Sequence, residues 1–231
     1  MPSSQQLDVL YEDNHLLVVN KPAMLPTMGV ASSRPSLLSV AKQYIADKFD
    51  KPGNVYLGVV SRLDAPVTGV VLLARTSKAA SRLTAAFRDR EVQKEYWAVV
   101  SGTPDPPQGT LEHYLRKDER HRKMHVTNSG AAEAQLARLV YEVRAERSDL
   151  SLLEVQLETG RKHQIRVQLA KLGHPVVGDR KYGSASEFPL GIALHSRRLQ
   201  IEHPVSKQPM RFEAPVPIAW SKHAVVSQLL K

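Results

Sequence analysis

The 231-residue chain contains no cysteine. Disulfides, thiolate nucleophiles and Cys-ligated zinc are therefore excluded. No stretch approaches the roughly 18 consecutive apolar residues that a membrane span requires. The amino terminus, Met-Pro-Ser-Ser-Gln-Gln, lacks the basic and apolar regions of a leader peptide. The expectation is a cytoplasmic protein with no membrane contact. Nine histidines are present, but their spacing is irregular and no His-Glu-x-x-His occurs, so no metal site is expected. Neither Gly-x-x-x-x-Gly-Lys-Ser/Thr nor Gly-x-Gly-x-x-Gly occurs, so no nucleotide cofactor is expected. No Gly-, Ser- or Pro-rich linker divides the chain, and no repeat is visible.

Acidic residues are outnumbered: 32 Lys and Arg stand against 23 Asp and Glu, a formal net charge of +9. That surplus points to a polyanionic partner, nucleic acid before membrane. A hydrophobic content of 42% suffices for one sizeable core.

Leu7–Tyr11 and His15–Asn20 read as a strand hairpin around Glu12-Asp13-Asn14. Ser36 offers a helix cap, with Leu37, Ala41, Tyr44 and Ile45 on one face. Val55–Val60 and Val70–Ala74 are apolar strands flanking a turn. Ser77 is expected to cap a second helix. Glu95–Val100 and Thr110–Leu115 are strands around a Pro-rich loop, and Arg116–Lys123 reads as a mobile basic loop. Ala134–Arg144 and Leu150–Glu158 read as paired strands. His163–Leu172 is a helix stopped by Gly173 and Pro175. Ile192–Ile201 is a strand, and a short helix follows Pro217. The fold class is α+β: one catalytic domain over residues 1–231, with a largely antiparallel mixed sheet flanked by helices and loops.

Three segments carry chemistry. In Ser61-Arg62-Leu63-Asp64-Ala65-Pro66-Val67-Thr68-Gly69, one carboxylate sits in a turn clamped between apolar strands. Such a turn holds a side chain in a fixed place, as nucleophilic or acid–base work requires; Asp is also an ordinary turn residue. In Gly160-Arg161-Lys162-His163-Gln164-Ile165-Arg166, Arg161, Lys162 and His163 crowd a helix start suited to a phosphate. Arg166 lies one turn further in, able to face a buried carboxylate and keep it ionised. In Lys94-Glu95-Tyr96-Trp97-Ala98, alternation puts Lys94, Tyr96 and Ala98 on one strand face. There Tyr96 either stacks on an unpaired base or packs into the core.

Taken together, these segments resemble the RluA-type RNA pseudouridine synthases over about Val9 to Pro217. Asn20-Lys21-Pro22-Ala23-Met24-Leu25-Pro26-Thr27 is similar to the first family block, and Arg62-Leu63-Asp64 with Thr68-Gly69 to the block of the essential aspartate. Lys94–Ala98 is similar to the tyrosine block, Gly160–Arg166 through His174–Gly183 to the longest signature, and Leu194–Leu199 with His203-Pro204 to the last. The resemblance implies the pseudouridine synthase fold and isomerisation of uridine to pseudouridine in a ribosomal or transfer RNA stem-loop. It implies no cofactor. The catalytic blocks begin almost at once, so the separate amino-terminal RNA-binding module of many relatives is not expected, and a monomer is expected. Asp64 is the expected essential residue, Tyr96 stacks on the target base, Arg166 pairs with Asp64, Ile165 lines the pocket and Arg62 fills the gap left by the flipped nucleotide. Lys21, Lys94, Arg161 and Lys162, with His163, are expected to hold RNA phosphates.

There are departures from the family pattern. Ser61 stands where His is common, Ala65-Pro66-Val67-Thr68 replaces a more charged run, and Met28-Gly29 alters the end of the first block. Two rivals follow: a catalytically degenerate homologue that only binds RNA, and a glycosidic-bond hydrolase, which ordinarily needs two cooperating carboxylates.

Overall fold

The computed structural model describes residues 7–31 and 33–230. The six amino-terminal residues read above for a leader lie outside that range. In chain order the elements are β1 (Val9–Glu12), β2 (Leu16–Lys21), α1 (Leu37–Lys48), β3 (Gly58–Val59), β4 (Thr68–Ala74), α2 (Ser77–Arg88), β5 (Gln93–Ser101), β6 (Gln108–Asp118), β7 (Lys123–Thr127), β8 (Gln135–Arg147) and β9 (Leu150–Leu157). There follow α3 (Gln164–Lys171), a 3-10 turn (Arg180–Tyr182), β10 (Leu194–Glu202), β11 (Pro209–Glu213), α4 (Ile218–Ser221) and α5 (Val226–Leu229). Their contacts define two compact units, Met1–Val92 with Ser196–Pro215, and Gln93–His195 with Val216–Lys231.

In the first unit, β2 pairs antiparallel with β1 and β4, and β10 with β11. Every residue of β4 is buried, and β2 is nearly so. That explains why both read as continuous apolar runs rather than alternating ones. Leu16, Val18, Val70 and Leu72 point to one side, where α2 supplies Ala79 and Leu83. Leu17, Val19, Val71 and Leu73 point to the other, where α1 supplies Leu37, Ala41 and Ile45. Burial of each Leu, Ile or Val side chain among these contributes about 1.5–3 kcal/mol. The Ser36 hydroxyl accepts from the Ser39 N–H as the cap of α1, as expected. The second helix is capped by Thr76, with Ser77 its first residue. This shift by one residue places the capping oxygen outside the helical backbone, as the geometry demands.

In the second unit, β5, β9, β8, β6 and β7 pair antiparallel in that order. Strand β8 alternates buried and exposed residues along most of its length, so one face is packed and the other open. The packed face holds Leu115, Met124 and Ala137 against Val167 of α3 and Tyr182.

Three expectations change. The strand at Val55–Val60 shrinks to the two residues of β3. The loop at Arg116–Lys123 is a hairpin: β6 runs to Asp118 and β7 begins at Lys123. Buried Leu115 and Met124, with Val126 packed beside them, seat the ribbon on the core despite its charged composition. Strand β11 pairs with β10 and was not anticipated. The α+β class and the largely antiparallel sheet are as expected.

Candidate active site

In the first unit, β2 ends at Lys21 and β4 begins at Thr68, and the Asp64 turn leads into β4. The turn closes through Val67 N–H donating to Asp64 O at 3.0 Å. Both neighbours of Asp64 are pinned. Thr27 Oγ1 donates to Leu63 O at 2.8 Å and accepts from Leu63 N at 3.1 Å. Lys21 Nζ donates to Ala65 O at 3.1 Å, and also to Pro22 O and Leu25 O, each at 2.8 Å. Asp64 itself is half-buried and Arg62 is exposed. Ser61 Oγ accepts from Leu72 N at 3.0 Å and donates to Leu72 O at 3.4 Å. The departure at Ser61 therefore ties the turn to β4, and the carbonyl of the departure at Ala65 anchors Lys21.

The expectation for Lys21 is corrected. Its side chain is fully buried, and three backbone carbonyls take its ammonium, so it does not hold an RNA phosphate. Burial draws its pKa from 10.5 down to about 7, while the charge of Asp64 works the other way. Thr27 stands in the first block with no role assigned; its contact with Leu63 spans 36 residues of chain and leaves no local signal in the sequence.

Gly69, the second residue of β4, adopts φ +111°, a backbone that L side chains rarely adopt. A Cβ there would lie 2.2 Å from Ser196 O. Only glycine permits this approach of the turn's exit to Ser196.

In the second unit, Lys94 and Tyr96 lie on β5, Tyr96 buried and Lys94 half-buried. Lys94 Nζ lies beside the Gly160 backbone, 3.6 Å from where a Cβ would be. The Gly160–His163 turn is built around buried Gln164, whose Oε1 accepts from Thr159 Oγ1 at 2.8 Å and Arg161 N at 2.9 Å. The helix begins at Gln164 rather than His163, because His163 adopts φ +53° and offers no side-chain cap. Its Nδ1 instead meets the Tyr182 hydroxyl at 2.7 Å. Arg161 and Lys162 are exposed, and Arg161 Nε donates to Leu136 O at 3.0 Å. Ile165 is buried on α3.

Arg166 is buried, and its guanidinium forms a two-pronged pair with Asp179: Nε to Oδ2 at 2.6 Å and Nη2 to Oδ1 at 2.9 Å. It also lies 5.1 Å from the Tyr182 ring centroid. Asp179 and Tyr182 stand inside the longest signature, and sequence reasoning gave them no role. Asp64 belongs to the first unit and Arg166 to the second.

The family model for RNA pseudouridylate synthase matches residues 15–171. The chain is 35% identical over 217 residues to the uncharacterized RNA pseudouridine synthase YjbO of Bacillus subtilis, covering 94% of this chain and 75% of that one. It is 36% identical over 232 residues to the ribosomal large subunit pseudouridine synthase D of Xylella fastidiosa, covering 94% and 68%. Among solved structures, human RNA pseudouridylate synthase domain containing 4 superposes with a TM-score of 0.75 at 27% identity, over 91% of this chain and 88% of that one. The chain belongs to the RNA pseudouridine synthases of the RluA type. It is an isomerase that acts on RNA.

Proposed function

We propose that this protein, as a monomer and a single catalytic domain, isomerises a flipped-out uridine in structured ribosomal RNA, with Asp64 as the essential residue. The N1–C1′ bond breaks and a C5–C1′ bond forms; the proton leaves C5 and one is gained at N1. No electrons are gained or lost, so the chemistry calls for no redox cofactor. Asp64 supplies the carboxylate that opens the glycosidic bond. Tyr96 caps the detached base, Ile165 walls its pocket, Arg166 is the counter-charge of Asp64 and Arg62 braces the vacated stack. Lys94, Arg161, Lys162 and His163 face the RNA backbone.

One observation supports this reading above the others: Asp64 is the residue between two pinned neighbours, Leu63 and Ala65. A merely solubilising carboxylate needs no such fixing. Ribosomal rather than transfer RNA is favoured by the relatives named as ribosomal large subunit synthases.

Asp64→Asn is expected to release no tritium from RNA containing 5-tritiated uridine while still binding that RNA. Release at the wild-type rate refutes the role of Asp64. Pseudouridine mapping in cells lacking the protein is expected to show one or more sites lost from large-subunit ribosomal RNA. Loss confined to transfer RNA refutes the substrate.

A further inference from the structure

The segment after β2 holds two methionines in unusual settings. Met24 is 60% exposed and Met28 43% exposed, although methionine is a residue that cores commonly bury. Met24 also adopts φ +65°. That left-handed backbone suits glycine, and a long side chain is strained in it. The strain brings no enclosure. The next residue, Leu25, enters the apolar layer with Leu37, Ala41 and Ile45 of α1, while Met24 stays in water. A glycine would close the same turn with less strain. The stability of the fold therefore supplies no reason for a methionine at this position.

Both methionines stand beside the Asp64 turn. Lys21 Nζ donates to Pro22 O and Leu25 O, on either side of Met24, and also to Ala65 O. Thr27, the residue before Met28, is bonded to both backbone groups of Leu63. The run from Pro22 to Met28 therefore lies along Leu63–Ala65, within one unit. Lys21, Leu25 and Thr27 are buried and make its inner side. Met24 and Met28 make its outer side, and exposed Arg62 adjoins Leu63. Residues 22–36 contain Arg34 and no Asp or Glu, so no carboxylate of this run repels a phosphate chain.

We propose that Met24 and Met28 form an apolar pad on which the unpaired bases flanking the extruded uridine rest. The proposal takes its setting from the isomerase reading. Extruding a nucleotide breaks the stacking of its neighbours. An apolar side chain laid against an unstacked base face keeps that face from water, and methionine is among the side chains that serve between base steps. Its flexible, polarizable thioether adapts to any base, so the pad selects for unstacked bases rather than for one sequence. The contact is with bases and not with phosphates, which separates it from the role of the exposed basic residues.

The test uses the whole chain and an oligocytidine of about a dozen nucleotides, which holds no uridine to convert, beside an abasic oligomer of equal length. The double variant Met24→Gly, Met28→Ser is expected to bind the oligocytidine about fivefold more weakly than wild type and the abasic oligomer equally well. The slope of log affinity against log salt is expected to stay at the wild-type value, because apolar contacts release no counterions. Met24→Leu is expected to keep the wild-type affinity. Met24→Gly alone is expected to melt at or above the wild-type temperature, because the strain at φ +65° is relieved. Wild-type affinity for the oligocytidine in the double variant, or an equal loss on both oligomers, overturns the proposal. A Tm lower by more than about 4 °C in Met24→Gly also overturns it, since the side chain would then serve the fold. So does a wild type that sediments as a dimer where the double variant is a monomer, which assigns the pad to a second copy. Tritium release is read separately, on large-subunit ribosomal RNA carrying 5-tritiated uridine. If wild type releases tritium while the double variant binds the oligocytidine normally, the pad falls and the isomerase stands. If wild type releases none but the base-dependent loss is seen, the base-binding pad stands and the isomerase reading falls.

Discussion

Replacing Lys21 by methionine tests the clamp on the Asp64 turn most directly. Methionine keeps most of the side-chain volume and removes every donor. Three carbonyls then lose their partner: Leu25 O in a buried setting, Pro22 O and Ala65 O in partly buried ones. A stranded buried acceptor costs about 1–3 kcal/mol, while the partly buried pair recover some of their loss from water. Removing a buried cation returns its desolvation cost. The balance at neutral pH is a net loss of about 2 kcal/mol, which lowers Tm by about 4–8 °C in a chain of this size. Release of Ala65 O frees one side of Asp64, and a displacement near 1 Å costs about 100-fold in rate. The expected result is kcat down about 100-fold with KM changed less than threefold, read by tritium release.

A pH profile separates this role from simple packing. The folded pKa of Lys21 lies near 7 and its ordinary value is 10.5. Between those values the unfolded chain binds the proton and the folded chain does not. Stability therefore rises with pH across that window, by up to about 1.4 kcal/mol per pH unit from this group. Below pH 7 both states hold the proton and the group contributes no slope. Activity runs the opposite way: a neutral amine has two hydrogens for three carbonyls, and Asp64 loses a nearby cation. Lys21→Met should abolish both slopes. Wild-type kcat in that variant, or an unchanged rise in stability between pH of about 7.5 and 9.5, refutes the reasoning.

Two further changes probe the supports of each unit. Asp179→Asn removes the carboxylate charge from the two-pronged pair with the buried Arg166 guanidinium and leaves one amide oxygen as acceptor, so a loss of about 3 kcal/mol is expected, and a urea unfolding curve matching wild type would refute the pairing. Gly69→Ala forces a Cβ to 2.2 Å from Ser196 O at φ +111°; a loss above about 4 kcal/mol is expected, and a soluble variant with Tm within about 2 °C of wild type refutes that approach of the two backbones.

The parts of the fold that were legible share one property: their pattern is local. His15–Asn20 and Val70–Ala74 read as strands, and the apolar runs Leu16–Val19 and Val70–Ala74 within them are the parts that the fold buries. Ser36 read as a cap because its partner, Ser39, is three residues away. Lys21 was misread because its partners are assembled by the fold. A lysine before a proline looks like a charge ending a strand; only the turn that brings Ala65 O to it, 44 residues on, makes burial tolerable. Asp179 was missed for a like reason, since it meets Arg166 across a helix end and a turn. His163 was placed in a helix because composition carries no sign of a positive φ at a non-glycine residue. The basic hairpin was hidden by its own charge, although Leu115, Met124 and Val126 already spelled its inner face.

These misses have a common meaning for the chemistry. In each unit a charged side chain is fixed by partners that take no part in bond breaking. Lys21 and Thr27 hold the backbone on either side of Asp64. Asp179 commits two nitrogens of Arg166, so the plane of that guanidinium is set before RNA arrives. Groups oriented in advance need no reorganisation when charge develops on the sugar or base, which is where fixed dipoles and charges accelerate a reaction most. Mutating the supports should therefore lower kcat more than it weakens RNA binding. Mutating the exposed Arg161 and Lys162, proposed to face the RNA backbone, should do the reverse. That division of effect between turnover and affinity follows from burial: the supports are enclosed, and Arg161 and Lys162 are not.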